Sequence, residues 1–358
     1  MGMLNGELHK RLNAYFGHIP ELKLCQDPEM YINLQPNDNI YEFENLEELR
    51  EFDEKYREDS GSKAMQLVSR VFGVPESQVV RIRRLKAGMT NNSWLFSIGE
   101  HSYICRIPGE GTEVLINRHE EKTVFDAVRH LGSTEQVVYF DEKSGYKISE
   151  FYENSRNADP KSEADMRCCM HKLRSLHESG VRVPHHFDID ERISYYEDLC
   201  GGPQRIPFAD YREMSERKDR LIAWLRQQER PEVLSHIDPV PDNFIFLPGA
   251  DLSETERDES KVRLIDWEYA GMCDPMIDLG MCAIYAYMDE QAAEALMSLY
   301  FGRKATDGER RLVWAYMALG GFLWALWGVY KEQLGVQFTD YTIKQYRYFK
   351  KYSLKVLG

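Results

Sequence analysis

A chain of 358 residues is too long for one small core, so two or three domains or lobes are expected. Its net charge of -14 argues against a nucleic-acid partner, whose phosphates demand clustered Lys and Arg, and suits a cationic substrate. Seven cysteines, an odd number without C-x-x-C spacing, exclude a disulfide framework and a zinc site and point to a reduced cytoplasm.

Residues 1–60 form an acidic, aromatic-spotted N-terminal extension whose first nine residues lack the apolar run of a secretory leader. Within it, Asn45 is placed to cap a helix with Glu48 as its capping-box partner, and Leu46, Leu49 and Phe52 share one face. The spacing of Ala64, Leu67, Val68 and Val71 predicts a helix closed by Gly73. From Val79 the pattern turns to strands, over 79–85, 94–98, 102–107, 137–140 and 146–150, joined by polar turns as in an antiparallel sheet. The loop between the first two strands holds Gly88, Thr90, Asn91 and Asn92. A glycine there lets backbone approach a phosphate, although a plain hairpin turn accounts for it equally well.

Arg106 stands among apolar neighbours in the third strand, either as an edge charge or as a fork for nucleotide phosphates. An apparent helix follows with Glu120 and Glu121. Strand character fades at 151–157, the expected hinge between an N-lobe of residues 61–152 and a C-lobe of residues 153–358. Helices are predicted over 161–179 and 208–229, with His177 a packed or capping residue. Residues 312–330 carry no charge and are long enough to raise the question of a membrane span. Gly320-Gly321 and the interspersed Trp and Tyr favour a buried core helix.

The chemistry concentrates in Ser235-His-Ile-Asp-Pro-Val-Pro-Asp-Asn243 and in Val262-Arg-Leu-Ile-Asp266. H-x-D-x-x-x-x-N followed by a strand that ends on Asp is the arrangement a phosphotransferase needs. Asp238 orients an acceptor hydroxyl and takes its proton, while Asn243 and Asp266 hold magnesium on the nucleotide phosphates. His236 shapes the catalytic loop by hydrogen bonding.

Several strings resemble the choline/ethanolamine kinase family, within the aminoglycoside-phosphotransferase-like kinase superfamily. They are Ala87-Gly-Met-Thr-Asn91, Cys105-Arg-Ile-Pro-Gly109, Gly111-Thr-Glu-Val-Leu-Ile-Asn-Arg118, Leu176-His-Glu-Ser-Gly180, the H-x-D-x4-N loop and Leu264-Ile-Asp-Trp-Glu-Tyr-Ala270. The last looks like the bacterial choline kinase version of the metal strand. The resemblance implies an α+β, protein-kinase-like bilobal fold, with a small antiparallel β-rich N-lobe and a larger, mainly helical C-lobe. It implies ATP and Mg2+ as cofactors, Arg106 and Glu120 as the nucleotide-site ion pair, and choline as acceptor. Residues 38–53 also resemble the tail of bacterial sugar- and choline-phosphate nucleotidyltransferases, without the nucleotide-binding front of that domain.

Trp324 and Trp327, at i and i+3, most often mark core packing by spacing alone. Choline kinases, however, cage a quaternary ammonium between aromatic rings. By that resemblance Trp324, Trp327, Tyr269 and Tyr330 wall the acceptor pocket. One departure stands out: the family commonly places a Glu where this chain has Ala283-Ile-Tyr-Ala-Tyr287. Ethanolamine, an aminoglycoside or another hydroxyl acceptor therefore remains an alternative to choline, as does a non-catalytic binding role.

Overall fold

The computed structural model describes residues 31–34, 40–43, 46–85, 91–109, 114–251, 258–336, 338 and 340–358. They form two compact units. One gathers the chain up to Leu115 with Gln136–Glu153, and the other Ile116–Glu135 with Asn154–Gly358.

The first unit is built on a five-stranded antiparallel sheet. Its strands are β3 (Val79–Arg84), β4 (Asn91–Ile98), β5 (His101–Pro108), β6 (Val137–Phe140) and β7 (Lys147–Glu150), in the order β3-β4-β5-β7-β6. A small hairpin, β1 (Tyr31–Leu34) with β2 (Ile40–Phe43), precedes it in the chain. Helices α1 (Leu46–Phe52) and α2 (Lys63–Phe72) supply Leu46, Leu49, Met65, Leu67 and Val68 to a core shared with Val79, Trp94, Phe96 and Ile148. Ser62 caps α2 and Gly73 closes it at φ 67.

Leu46 and Leu49 of α1 thus pack into this unit's core. Arg50 shows how tightly they are attached. Its buried guanidinium donates to the carbonyls of Val79 (2.6 Å) and Glu76 (3.0 Å). Strand β3 slips register between Val80 and Arg83, and the Ile82 N–H at that bulge donates instead to the Glu47 carboxylate (3.1 Å). Satisfying an edge strand with side chains in this way removes donors that would otherwise pair with another chain. The expected Asn45 cap, like Gly88 and Thr90, lies outside the described residues.

The second unit opens with α3 (Arg118–Val128), assigned by sequence to the N-lobe but clustering here with the C-terminal part. The reason is bonding: Leu264 N–H donates to Ser133 O at 2.9 Å, and Trp267 Nε1 to Thr134 Oγ1 at 2.8 Å. Then come β8 (Arg156–Asn157), α4 (Glu163–His177), α5 (Ile189–Leu199) and α6 (Tyr211–Arg226). Helix α5 was not expected. Its signals were present all the same: Asp188 accepts from the N–H groups of Asp190 and Glu191, and Ile189, Ile193 and Tyr196 are buried on one face. Four short strands follow, β9 (Val233–Ser235), β10 (Phe244–Phe246), β11 (Val262–Leu264) and β12 (Gly271–Cys273). They form an antiparallel β11-β10-β8 sheet and a β12-β9 pair. Residues 156–157, expected as plain hinge, thus add a strand to β10.

The rest is helical: α7 (Met276–Tyr285), α8 (Glu290–Phe301), α9 (Asp307–Gln333) and α10 (Tyr341–Leu357). Helix α9 contains the uncharged segment. It is long and apolar enough to cross a membrane, yet it is buried through most of its length against α5, α6, α7 and α10. Thr306 and Glu309 close a reciprocal capping box at its start. Glycines permit the close helix approaches. A Cβ on Gly280 would lie 2.8 Å from Tyr316 Cβ and 2.9 Å from Met317 N, and one on Gly321 would lie 2.6 Å from Gln345 O. Gly321→Ala must therefore push α9 and α10 apart. We expect a loss of about 2 kcal/mol or more, read as a lowered denaturation midpoint. An unchanged midpoint would show that the crossing tolerates the methyl.

Candidate active site

Strand β9 delivers the chain into His236, and a short 3-10 turn over Pro241–Asn243 returns it to β10. Pairing of Phe244 with Leu264 sets β11 alongside, and Ile265 N–H donates to Asn243 O at 3.0 Å. His236 Nε2 reaches Ile265 O at 3.0 Å from the other side. Asp266 follows immediately, in the left-handed region at φ 67. The hairpin thus places Asp266 beside Asn243, and Asn243 Nδ2 donates back to Asp238 O at 2.9 Å and to its carboxylate at 3.3 Å. The sequence positions 238, 243 and 266 converge on one loop cluster.

The loop is held from beneath by Asp278 of α7, which is fully buried. Its carboxylate accepts from the N–H of His236 (2.8 Å), the N–H of Ile237 (2.7 Å) and Nε2 of His177 (2.9 Å). His177 Nδ1 lies 2.7 Å from the Tyr300 hydroxyl, in keeping with a packed histidine. Ile237 has φ 70, a costly conformation for a β-branched residue, and the two amide bonds to Asp278 hold it there. Sequence reading gave Asp278 no role. The Asp274-Pro-Met-Ile-Asp278 string shows nothing of its partners until α7 folds back beneath the loop.

Electrostatics agree with an acid-lined phosphate site. Burial, and then the Asp266 carboxylate, push the Asp238 carboxyl well above its ordinary range. A site with two mutually repelling carboxylates is short of positive charge, which a divalent cation would supply. Among the described residues no three His, Cys, Asp or Glu are grouped to hold a metal alone. Asn243 and Asp266 nevertheless fit magnesium, which commonly takes one or two protein ligands and completes its shell with phosphate and water. Burial lowers His236 to about 4, so it is neutral near pH 7, and its Nε2–H is committed to the Ile265 carbonyl.

The aromatic residues form a second feature. Tyr269 and Trp324 meet edge to face at 5.4 Å, Trp324 and Trp327 at 6.0 Å, and Trp327 and Tyr341 at 5.9 Å. Tyr285 lies 5.7 Å from Trp324. Burial, and then the Asp238 carboxylate, raise the hydroxyls of both Tyr285 and Tyr341 well above the ordinary tyrosine range. Tyr330 is half-buried in the last turn of α9, where its carbonyl accepts the Leu334 N–H at 3.2 Å. Tyr285 and Tyr341 were not anticipated. Tyr285 stands in the stretch where a Glu was sought. Tyr341 opens the last helix and carries no local signal.

The residues expected on the nucleotide side belong to different units, each described by itself. In the first unit, Arg106 is buried on β5, in register with Ser93 of β4 and Lys147 of β7, and 5.6 Å from the Phe140 ring. Lys147 is also buried and was passed over by the sequence reading. Asn91 is buried at the start of β4. In the second unit, Glu120 is half-buried and its N–H is capped by Asn117 (3.3 Å). Its neighbour Glu121 is the buried carboxylate, 2.8 Å from Arg118, whose guanidinium also meets Glu268 at 3.2 Å.

Residues 81–313 match the profile of the phosphotransferase enzyme family, a span that contains every residue of the catalytic cluster. The chain belongs to the phosphotransferase enzyme family. Among curated relatives of this phosphotransferase, Protein LicA of Haemophilus influenzae is 27% identical over 271 residues, covering 72% of this chain and 96% of the relative. The crystal structure of choline kinase LicA from Streptococcus pneumoniae superposes with a TM-score of 0.69 at 29% identity, covering 81% of this chain and 97% of that one. A structure of LicA in complex with AMP gives 0.68 at 29% identity, covering 83% and 100%. The phosphotransferase has the expected kinase-like α+β fold, with an antiparallel-sheet unit followed by a mainly helical one.

Proposed function

We propose that the phosphotransferase moves the γ-phosphate of ATP to the hydroxyl of choline, giving phosphocholine. The observation that carries this reading is the series of perpendicular rings Tyr269, Trp324, Trp327 and Tyr341 beside the Asp238 carboxylate. A quaternary ammonium has no N–H to donate, so π faces hold it best, at roughly 0.5–2 kcal/mol per ring. A primary ammonium needs acceptors instead. The likeness to choline kinase LicA supports the same acceptor.

Asp238 takes the proton of the choline hydroxyl as the oxygen attacks phosphorus. Asn243 and Asp266 would hold magnesium, which when bound would neutralise charge on the phosphates. His236 keeps the loop in shape. On the nucleotide side, Arg106, buried on β5 of the first unit, would supply a guanidinium fork to the phosphates, with Asn91 at the start of β4. Lys147, beside Arg106 in the sheet, is a further candidate for that contact. Tyr330 adds a wall to the acceptor pocket. The reaction belongs in the cytoplasm, where ATP is supplied and where free thiols such as Cys105, Cys168 and Cys282 stay reduced.

A coupled assay with choline, ethanolamine and an aminoglycoside side by side tests the acceptor. Choline should give the highest kcat/KM; a higher value for either other acceptor would displace it. Trp324→Ala should raise the choline KM at least tenfold, the equivalent of about 1.4 kcal/mol. The ATP KM should stay within about twofold. An unchanged choline KM would remove Trp324 from the pocket.

A further inference from the structure

Three bonds join the segment around Asp266 to the α3 region, one before it and two after. Leu264 N–H donates to Ser133 O (2.9 Å), Trp267 Nε1 to Thr134 Oγ1 (2.8 Å), and Glu268 meets Arg118 (3.2 Å). Arg118 opens α3 and is shared with Glu121 of the same helix. All three members of this ion group are more than nine-tenths buried. The Trp267 ring also stands 4.7 Å from that of His236 in the catalytic loop. Asp266, between these anchors, has a left-handed backbone, uncommon for a non-glycine residue although aspartate adopts it more readily than most.

We infer that Arg118 and Thr134 are positioning residues that fix the Asp266 carboxylate for the metal-bound nucleotide. An aspartate at φ 67 on an unanchored strand end would exchange with extended backbone, which moves its carboxylate out of line with Asn243. The Arg118–Glu268 pair and the Thr134–Trp267 bond prevent this by holding the two residues that follow it. The same geometry gives α3 a consequence of its own. It cannot move independently of the metal strand without breaking a buried ion group, whose rupture leaves uncompensated charge. Helix α3 is thus part of the catalytic framework and does not act as a mobile regulatory element.

The inference rests on Asp266 as metal ligand, so the experiment includes Asp266→Ala. The probe is magnesium with a non-hydrolysable ATP analogue, read by calorimetry as the magnesium concentration for half-maximal nucleotide binding. For Arg118→Gln that concentration should rise about tenfold or more, the usual size of an outer-shell effect on a metal site. kcat should fall in parallel and the choline KM should stay within about twofold. Arg118→Lys should recover most of the loss. Thr134→Val and Trp267→Phe, which each remove one side of a single neutral bond and should leave the fold intact, should each shift the metal requirement about threefold. Their combination should do no more than either alone.

If Arg118→Gln fails to fold, the Thr134 and Trp267 variants decide. A wild-type magnesium requirement in the folded variants, or a change confined to thermal stability, overturns the positioning role. If Asp266→Ala itself binds magnesium nucleotide normally, the metal-ligand reading fails first. Impaired Asp266→Ala with normal Arg118→Gln and Thr134→Val overturns this inference alone.

Discussion

Asp238→Ala should leave a folded protein that binds ATP and magnesium but transfers phosphate at least about a thousandfold more slowly, within the range that a positioned general base contributes. The geometry gives the reason. Asp238 is fixed by Asn243 at its carbonyl and carboxylate, and no other described carboxylate occupies that place in the loop. Asp266, its nearest acidic neighbour, lies on the metal strand. Losing Asp238 also removes the charge that burial and Asp266 make costly, so stability should hold or rise slightly. The experiment is kcat by coupled assay, with nucleotide affinity by calorimetry and a denaturation midpoint beside it. Transfer within about tenfold of the parent would remove Asp238 as base.

Asp278→Ala should be the most damaging substitution to the loop, though it touches no substrate. Its carboxylate accepts three bonds, from two amides and from His177, in a site closed to water. Hydrogen bonds to a charged group contribute roughly 1.5–3 kcal/mol each, and orphaned buried donors cost about as much. Ile237 then has nothing to hold its left-handed conformation, worth roughly another 1–3 kcal/mol in strain now free to relax. We expect a loss on the order of 4 kcal/mol in unfolding free energy and a fall in kcat of at least about a hundredfold. Asp278→Asn, which keeps one acceptor but faces donors with an NH2 group, should fall between. A folded Asp278→Ala protein with parental kcat would show that the loop keeps its shape without the clamp.

Particular residues show where the sequence was readable. Ser62 and Gly73 announced both ends of α2, since a cap side chain and a left-handed glycine are local requirements. The H-x-D-x-x-x-x-N loop was readable because the hairpin β10–β11 must bring Asn243 and residue 265 together once both strands are recognised. The capped helix Ile189–Leu199 was equally local and was overlooked. Glu120 and Glu121 are adjacent on a helix, and local pattern does not choose between them. Only burial of one of them beside Arg118 and Glu268 distinguishes the two. The placement of residues 46–60 in the core of the first unit was similarly hidden, because Arg50 on an acidic helix reads as a surface charge until its carbonyl partners are seen.

The amino-acid sequence by itself determined most strand and helix types and the loop on which Asp238 and Asn243 stand. These follow from spacing, caps and alternation over a few residues, interactions that short stretches of chain make with themselves. The tertiary structure alone decided that Asp278 grips the catalytic loop, that Tyr285 and Tyr341 join the tryptophans, and that α3 is bonded to the metal strand. Those contacts join residues on different elements, and their energies arise from burial and hydrogen-bond geometry that exist only once the helices have packed.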